Sequence, residues 1–106
     1  MALAIPHNGN AFMIDQSSPG GWFEEGLINM EKLREFFGGW VELVTFAQPL
    51  KIAGVEYAYL ACNEEGKLMK LPLNMVATSM VTLMGALPID DMIVGNAVLL
   101  ERSEIN

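Results

Sequence analysis

The sequence predicts one small α+β domain, a mostly antiparallel sheet of four to five strands with two helices. Three observations lead there. A chain of 106 residues is the size of one domain and can bury a core of its own. Its apolar pattern switches between helical spacing and strand-like alternation several times. The apolar runs between are short and bounded by Gly, Pro and Asn.

Residues 1–26 read as an N-terminal arm, with a short strand at Ala11 to Asp15 and turn material from Gln16 to Gly21. Residues 27–101 form the expected core domain, and residues 102–106 a polar tail. Asn29 can cap a first helix, Met30 to Phe37, with Ile28 and Leu33 as a hydrophobic staple and Gly38 as its left-handed stop. Trp40 to Phe46 is β-branched and aromatic, which reads as a strand that ends at Gln48-Pro49.

Val55 to Cys62 is its expected partner. Alternation places Val55, Tyr57, Tyr59 and Ala61 on one side and Glu56, Ala58, Leu60 and Cys62 on the other. Asn63-Glu64-Glu65-Gly66 turns the chain, with Gly66 expected at positive φ, and Lys67 to Leu71 is a candidate fifth strand. Asn74 then caps a second helix, Met75 to Met84, closed by Gly85, and Met92 to Leu100 is the last strand. The order strand, helix, strand, strand, helix, strand matches the split β-α-β motif, which carries two helices on one face of its sheet.

Between Lys70 and Asp90 no residue is charged, so a hydropathy window flags Leu71 to Ile89 as a membrane span. Length excludes this reading. A helix of Met75 to Met84, bracketed by Pro72 and Pro88, reaches only about half of a hydrocarbon core of about 30 Å. Apolar residues cover most of its circumference, which predicts a helix buried on most of it, either under a sheet and against a neighbouring subunit or at the centre of the monomer. Met80, Val81 and Met84 are the candidate interface residues of a homo-oligomer. The composition supports an oligomer too: 52% of the residues are hydrophobic and only 18% are charged.

A formal charge of −7, from 13 acidic and 6 basic residues, argues against direct binding to nucleic acid or an anionic membrane. The lone Cys62 excludes an internal disulfide framework, and the N-terminus lacks the pattern of a secretory signal. A cytoplasmic protein is expected.

Little in the sequence points to catalysis or to a metal. His7 is the single histidine and lies in the N-terminal arm, whereas a Ser, Thr or Cys nucleophile needs a base beside it. Cys62 sits in an apolar strand, where a thiol is unreactive. One His and one Cys do not make a zinc site, and the Gly20-Gly21 and Gly38-Gly39 pairs lack phosphate-loop spacing. No cofactor is implied. Asn63, Lys67, Lys70 and Asn74 form the one candidate ligand site: if the turn at 63–66 meets the start of the second helix, they converge on an anion.

Four segments carry a resemblance: LREFFGGWVEL at Leu33 to Leu43, CNEEGKL at Cys62 to Leu68, LPLNMVA at Leu71 to Ala77, and DMIVGNAVL at Asp91 to Leu99. In that order and spacing they resemble the family called domain of unknown function 3846, small proteins of phages, plasmids and other mobile elements. The resemblance implies motif positions at Asn63, Gly66, Asn74 and Gly95, and a setting in which small proteins counter host defence. Three functions are then weighed. The first is a non-enzymatic accessory protein that sequesters a nucleotide-like anion or caps a host defence protein. The second is an acidic DNA mimic that inhibits a nuclease or restriction enzyme. The third is a small enzyme using Asp90-Asp91 or Glu64-Glu65.

Overall fold

The computed structural model describes residues 1–87 and 91–105. The fold is α+β. Among the described residues, seven strands and two helices follow one another as β1 (Ala2–Ile5), β2 (Phe12–Ile14), β3 (Phe23–Glu24), β4 (Leu27–Ile28), α1 (Met30–Phe37), β5 (Val41–Ile52), β6 (Val55–Asn63), α2 (Met75–Leu83) and β7 (Ala97–Leu100). A turn of 3₁₀ helix, Arg102–Glu104, follows β7. Five strands form one sheet in the order β2-β1-β7-β6-β5, and β3 pairs with β4 in a separate small ribbon. Every pair is antiparallel.

The helices lie on opposite faces of the sheet, not on one. Alternate residues of β1 and β7 show why: Leu3, Ile5, Ala97 and Leu99 pack with Ala77 and Val81 of α2, while Ala2, Ala4, Val98 and Leu100 pack with Leu33 and Phe37 of α1. Both central strands are therefore buried on both faces. The split β-α-β order does not hold either, because β7 pairs with β6 where that motif places its first strand, and β1 lies between β2 and β7. The segment expected as an arm thus supplies a central strand. Ala2-Leu3-Ala4-Ile5 is apolar at every position, as a strand covered on both sides requires.

Further differences have local causes. Gln48-Pro49 does not end the strand: β5 continues to Ile52 with a register shift between Thr45 and Leu50, which an edge strand tolerates at a proline. The hairpin turns at Ala53-Gly54, both at positive φ, as a two-residue turn between right-twisted strands demands. Tyr57 joins the α2-side core with Leu60 and Cys62, while Tyr59 packs on the α1 side with Ala61. The alternation expected from Val55 onward holds on each side of the register shift but changes face across it. Residues 67–70 form turns and Leu71 belongs to no strand, and β7 begins at Ala97, with Val94 making only an isolated bridge to Leu73.

Both helices start at the expected asparagines, whose side chains accept from Lys32 N and Ala77 N. At the end of α2, Gly85 N donates to Thr82 O and Ala86 N to Val81 O, with Gly85 at φ 65°. These two bonds make a Schellman closure. Within the single chain α2 is covered on one side only, which rules out its forming the centre of the monomer: Ala77 and Val81 are buried, while Met75, Val76 and Leu83 are exposed. No helix of the described residues is long and apolar enough to cross a membrane. Pro88 and Ile89, the end of the apolar segment read above, and Asp90 of the candidate Asp90-Asp91 pair lie outside the described residues.

Candidate functional site

On the α2 side of the sheet, the first half of β5, the end of β6, the turn after it and the segment leading to β7 enclose a cavity of about 410 Å³. Its inner wall is apolar: Val44, Cys62, Leu87 and Ile93. Glu42 arrives there because it pairs with Cys62 across the β5–β6 ladder. Glu64, Glu65 and Lys67 come from the turn that follows β6, and Asp91 from the opposite lip. Among the described residues, four carboxylates therefore ring an apolar hollow against one ammonium group, and that ammonium is ion-paired with Asp91. The Lys67 bond holds the Asp91 carboxyl below the usual carboxylate range, aided by the Met92 backbone N–H.

The four residues expected to gather on an anion do not gather. Asn63 lines the cavity, yet its side chain is committed to backbone: Nδ2 donates to Phe37 O at 2.9 Å, and Oδ1 accepts from Glu65 N at 2.8 Å. It closes the open carbonyl end of α1 and fixes the turn. Asn74 is buried elsewhere and equally saturated, donating to Ile5 O and Gly95 O while accepting from Ala77 N. Lys67 reaches the cavity; Lys70 is outside its lining and sits in the left-handed region at φ 56°. The surroundings of Lys67 are acidic, which disfavours an anion.

The motif glycines have packing explanations. Gly66 is not at positive φ, contrary to expectation. A Cβ there would stand 2.8 Å from Val94 Cγ2. Gly95 does take positive φ, 76°, and a Cβ on it would stand 2.8 Å from Leu71 Cδ1. These contacts clamp the turn after β6 against the segment before β7, and so shape the lip of the cavity. Asn96, not singled out by the sequence, does similar work: it accepts from His7 N and donates to Phe36 O, which anchors the start of the His7 loop to the end of α1.

Of the residues read as an oligomer interface, Val81 is fully buried within the chain and unavailable to a second copy, whereas Met80 and Met84 are half-buried against the same core. The Cys62 thiol is pushed up to about 12, first by burial and then by the Glu42 carboxylate, with Lys67 pulling weakly the other way. A thiol so placed stays protonated at neutral pH and is a poor nucleophile. Among the described residues no three His, Cys, Asp or Glu side chains come together as a metal site requires.

The family model for a domain of unknown function (DUF3846) matches residues 9–105. No curated protein and no solved structure gives a significant match.

Proposed function

From the premise that this chain belongs to the DUF3846 family, we propose that it is an accessory protein of a phage, plasmid or other mobile element that acts by binding and capping a host protein. The observation that supports this reading most is the acid-ringed apolar cavity. An apolar hollow with carboxylates on its lip suits a Lys or Arg side chain, whose carbon stem packs on the wall while its charge meets the rim. A nucleotide suits it poorly, because its phosphates would face Glu42, Glu64 and Glu65. Counter-defence is the role this setting favours.

The same geometry supports a non-enzymatic reading, since the cavity's single thiol is protonated and Lys67 is paired. A DNA mimic gains less support: Glu31, Glu35, Glu56 and Asp91 are all paired with basic side chains of the same chain. Exposed Leu68, Met75 and Leu83 agree with self-association as well, which native mass spectrometry tests.

Affinity capture from the infected host, run in parallel with wild type and Glu64→Lys/Glu65→Lys, tests the proposal. A protein retained by the wild type, lost by the charge-reversed variant and released by salt is the expected result. Identical capture by both overturns the use of this cavity. A thermal shift with a nucleotide at millimolar concentration, abolished by Lys67→Ala, would replace the capping reading with sequestration of an anion.

A further inference from the structure

The cavity opens beside a strand edge that has nothing paired to it. β5 is the last strand of the sheet, and among the described residues it is hydrogen-bonded on one side only. Glu64 N donates to Trp40 O at 2.8 Å, so these two residues, directly opposite each other, turn their backbone groups inward across the ladder. Glu42↔Cys62 and Val44↔Leu60 continue the same register in steps of two. In an antiparallel ladder the intervening residues then aim their N–H and C=O groups outward. Val41, Leu43 and Thr45 therefore present a row of backbone donors and acceptors to solvent.

This edge has a cavity on each face. The acid-ringed one lies on the α2 side. A second, of about 230 Å³, lies on the α1 side and is lined by Leu27, Ile28, Met30 and Ile105 with Glu104. Leu43 borders both. Protein edges are commonly protected by charge, proline or a bulge. Here the bulge and Pro49 protect only the far half of β5, and Glu42 is the one charged residue from Val41 to Thr45.

We propose that β5 at Val41–Thr45 takes up an extended segment of a partner protein as an added strand, its neighbouring side chains entering the two cavities, one apolar and one Lys or Arg. The proposal rests on the binding reading above and adds how the partner is held. Successive residues of a strand point to opposite faces, so one added strand reaches both cavities at once. Charge selects the occupant. A second copy of this chain would set Glu42 and its acidic rim against an equal set, on a molecule that carries −7. A basic and apolar segment meets no such repulsion.

The probe is the acetylated, amidated heptapeptide Thr-Leu-Arg-Leu-Arg-Leu-Thr, titrated into the full chain and followed by NMR. Saturable binding should slow hydrogen exchange at the Val41, Leu43 and Thr45 amides. N-methylation of alternate peptide amides, which leaves the protein untouched, should weaken binding by about tenfold or more, the worth of one or two main-chain hydrogen bonds. Leu43→Pro, which deletes one outward donor, should do the same with an unchanged melting profile. Replacing Arg by Glu in the peptide should abolish binding. Binding indifferent to N-methylation overturns strand addition while leaving the cavity as a docking site. Absence of binding at millimolar peptide overturns it as well, as would a β5-to-β5 dimer seen by native mass spectrometry and broken by Leu43→Pro.

Discussion

Asn74, at the start of α2, donates its side-chain amide to the carbonyl of Ile5 at the end of β1, 2.9 Å away and 69 positions earlier in the chain. The same amide donates to Gly95 O, and its oxygen caps the helix. One buried side chain therefore joins a helix, a central strand and the bend before β7.

Asn74→Ala should cost about 3 kcal/mol, the sum of a lost cap at about 1 kcal/mol and two buried carbonyls left without partners at about 1 kcal/mol or more each. Urea unfolding checks this. Asn74→Asp should lose more still, because it keeps the cap but sets a carboxylate oxygen against both carbonyls. A loss below about 1 kcal/mol for Asn74→Ala would refute the joining role.

Gly95→Ala meets two obstacles, the left-handed backbone and Leu71 Cδ1 at 2.8 Å. The backbone alone costs about 1–2 kcal/mol and overpacking a further 1–3 kcal/mol or so. Leu71→Ala placed in the same chain should relieve only the steric part. A double-mutant cycle measured by thermal or urea unfolding should therefore show favourable coupling between the two positions. Gly66→Ala should couple in the same way to Val94→Ala, without the backbone share.

The helices were legible because their signals are local: Asn29 and Asn74 cap, and Gly38 and Gly85 terminate. The sheet order was not, because β1 finds its partner at the far end of the chain, with Leu3 opposite Leu99. Four apolar residues before Pro6 carry no alternation, and alternation is what separates a half-buried strand from an arm. At the site, Asn63 and Lys67 were found from the turn, but Glu42 was missed. A single acid inside an apolar strand was the available signal; only the β5–β6 register brings it beside the turn. The anion site expected of Asn63, Lys67, Lys70 and Asn74 required the turn at 63–66 to meet the start of α2, whereas the left-handed Lys70 lies outside the cavity and Asn74 is buried elsewhere.

Val81→Glu should unfold the chain. Its side chain is fully buried against Leu60, Leu99 and Ala77, and an unpaired carboxylate there costs several kcal/mol out of a total stability of about 5–15 kcal/mol. Leu83→Lys, two residues on and 86% exposed, should leave the fold intact. Circular dichroism separates the two. If α2 also meets a second copy through its outer face, Leu83→Lys should shift native mass spectra from oligomer to monomer without changing the melting temperature by more than a degree or two.

The Lys67–Asp91 pair makes a prediction in acid. Asp91 has its carboxyl held below the ordinary range, so the pair's contribution is present above the unfolded carboxylate pKa near 3.9 and is lost as pH falls through the lower folded value. Lys67→Met should move the Asp91 titration, followed by NMR, up toward that ordinary value. The effect on global stability should be small, since both partners reach solvent.

Cys62 makes the opposite prediction in alkali. Its thiol is pushed up to about 12 in the folded chain, whereas an unfolded cysteine ionises near 8.5. A raised folded value means that the stabilising contribution is complete below the unfolded pKa and disappears as pH climbs toward the folded one. Relative to Cys62→Ala, the wild type should therefore lose roughly 1 kcal/mol per pH unit above about pH 9. Urea unfolding of both proteins from pH 7 to pH 10.5 measures the difference. Alkylation gives an independent check: at pH 8 iodoacetamide should label the native chain far more slowly than the unfolded one, because burial limits both thiolate formation and access. Rapid labelling of the folded protein would mean that the cavity wall at Cys62 opens, and the thiol would then have to be counted among the reactive groups of the site.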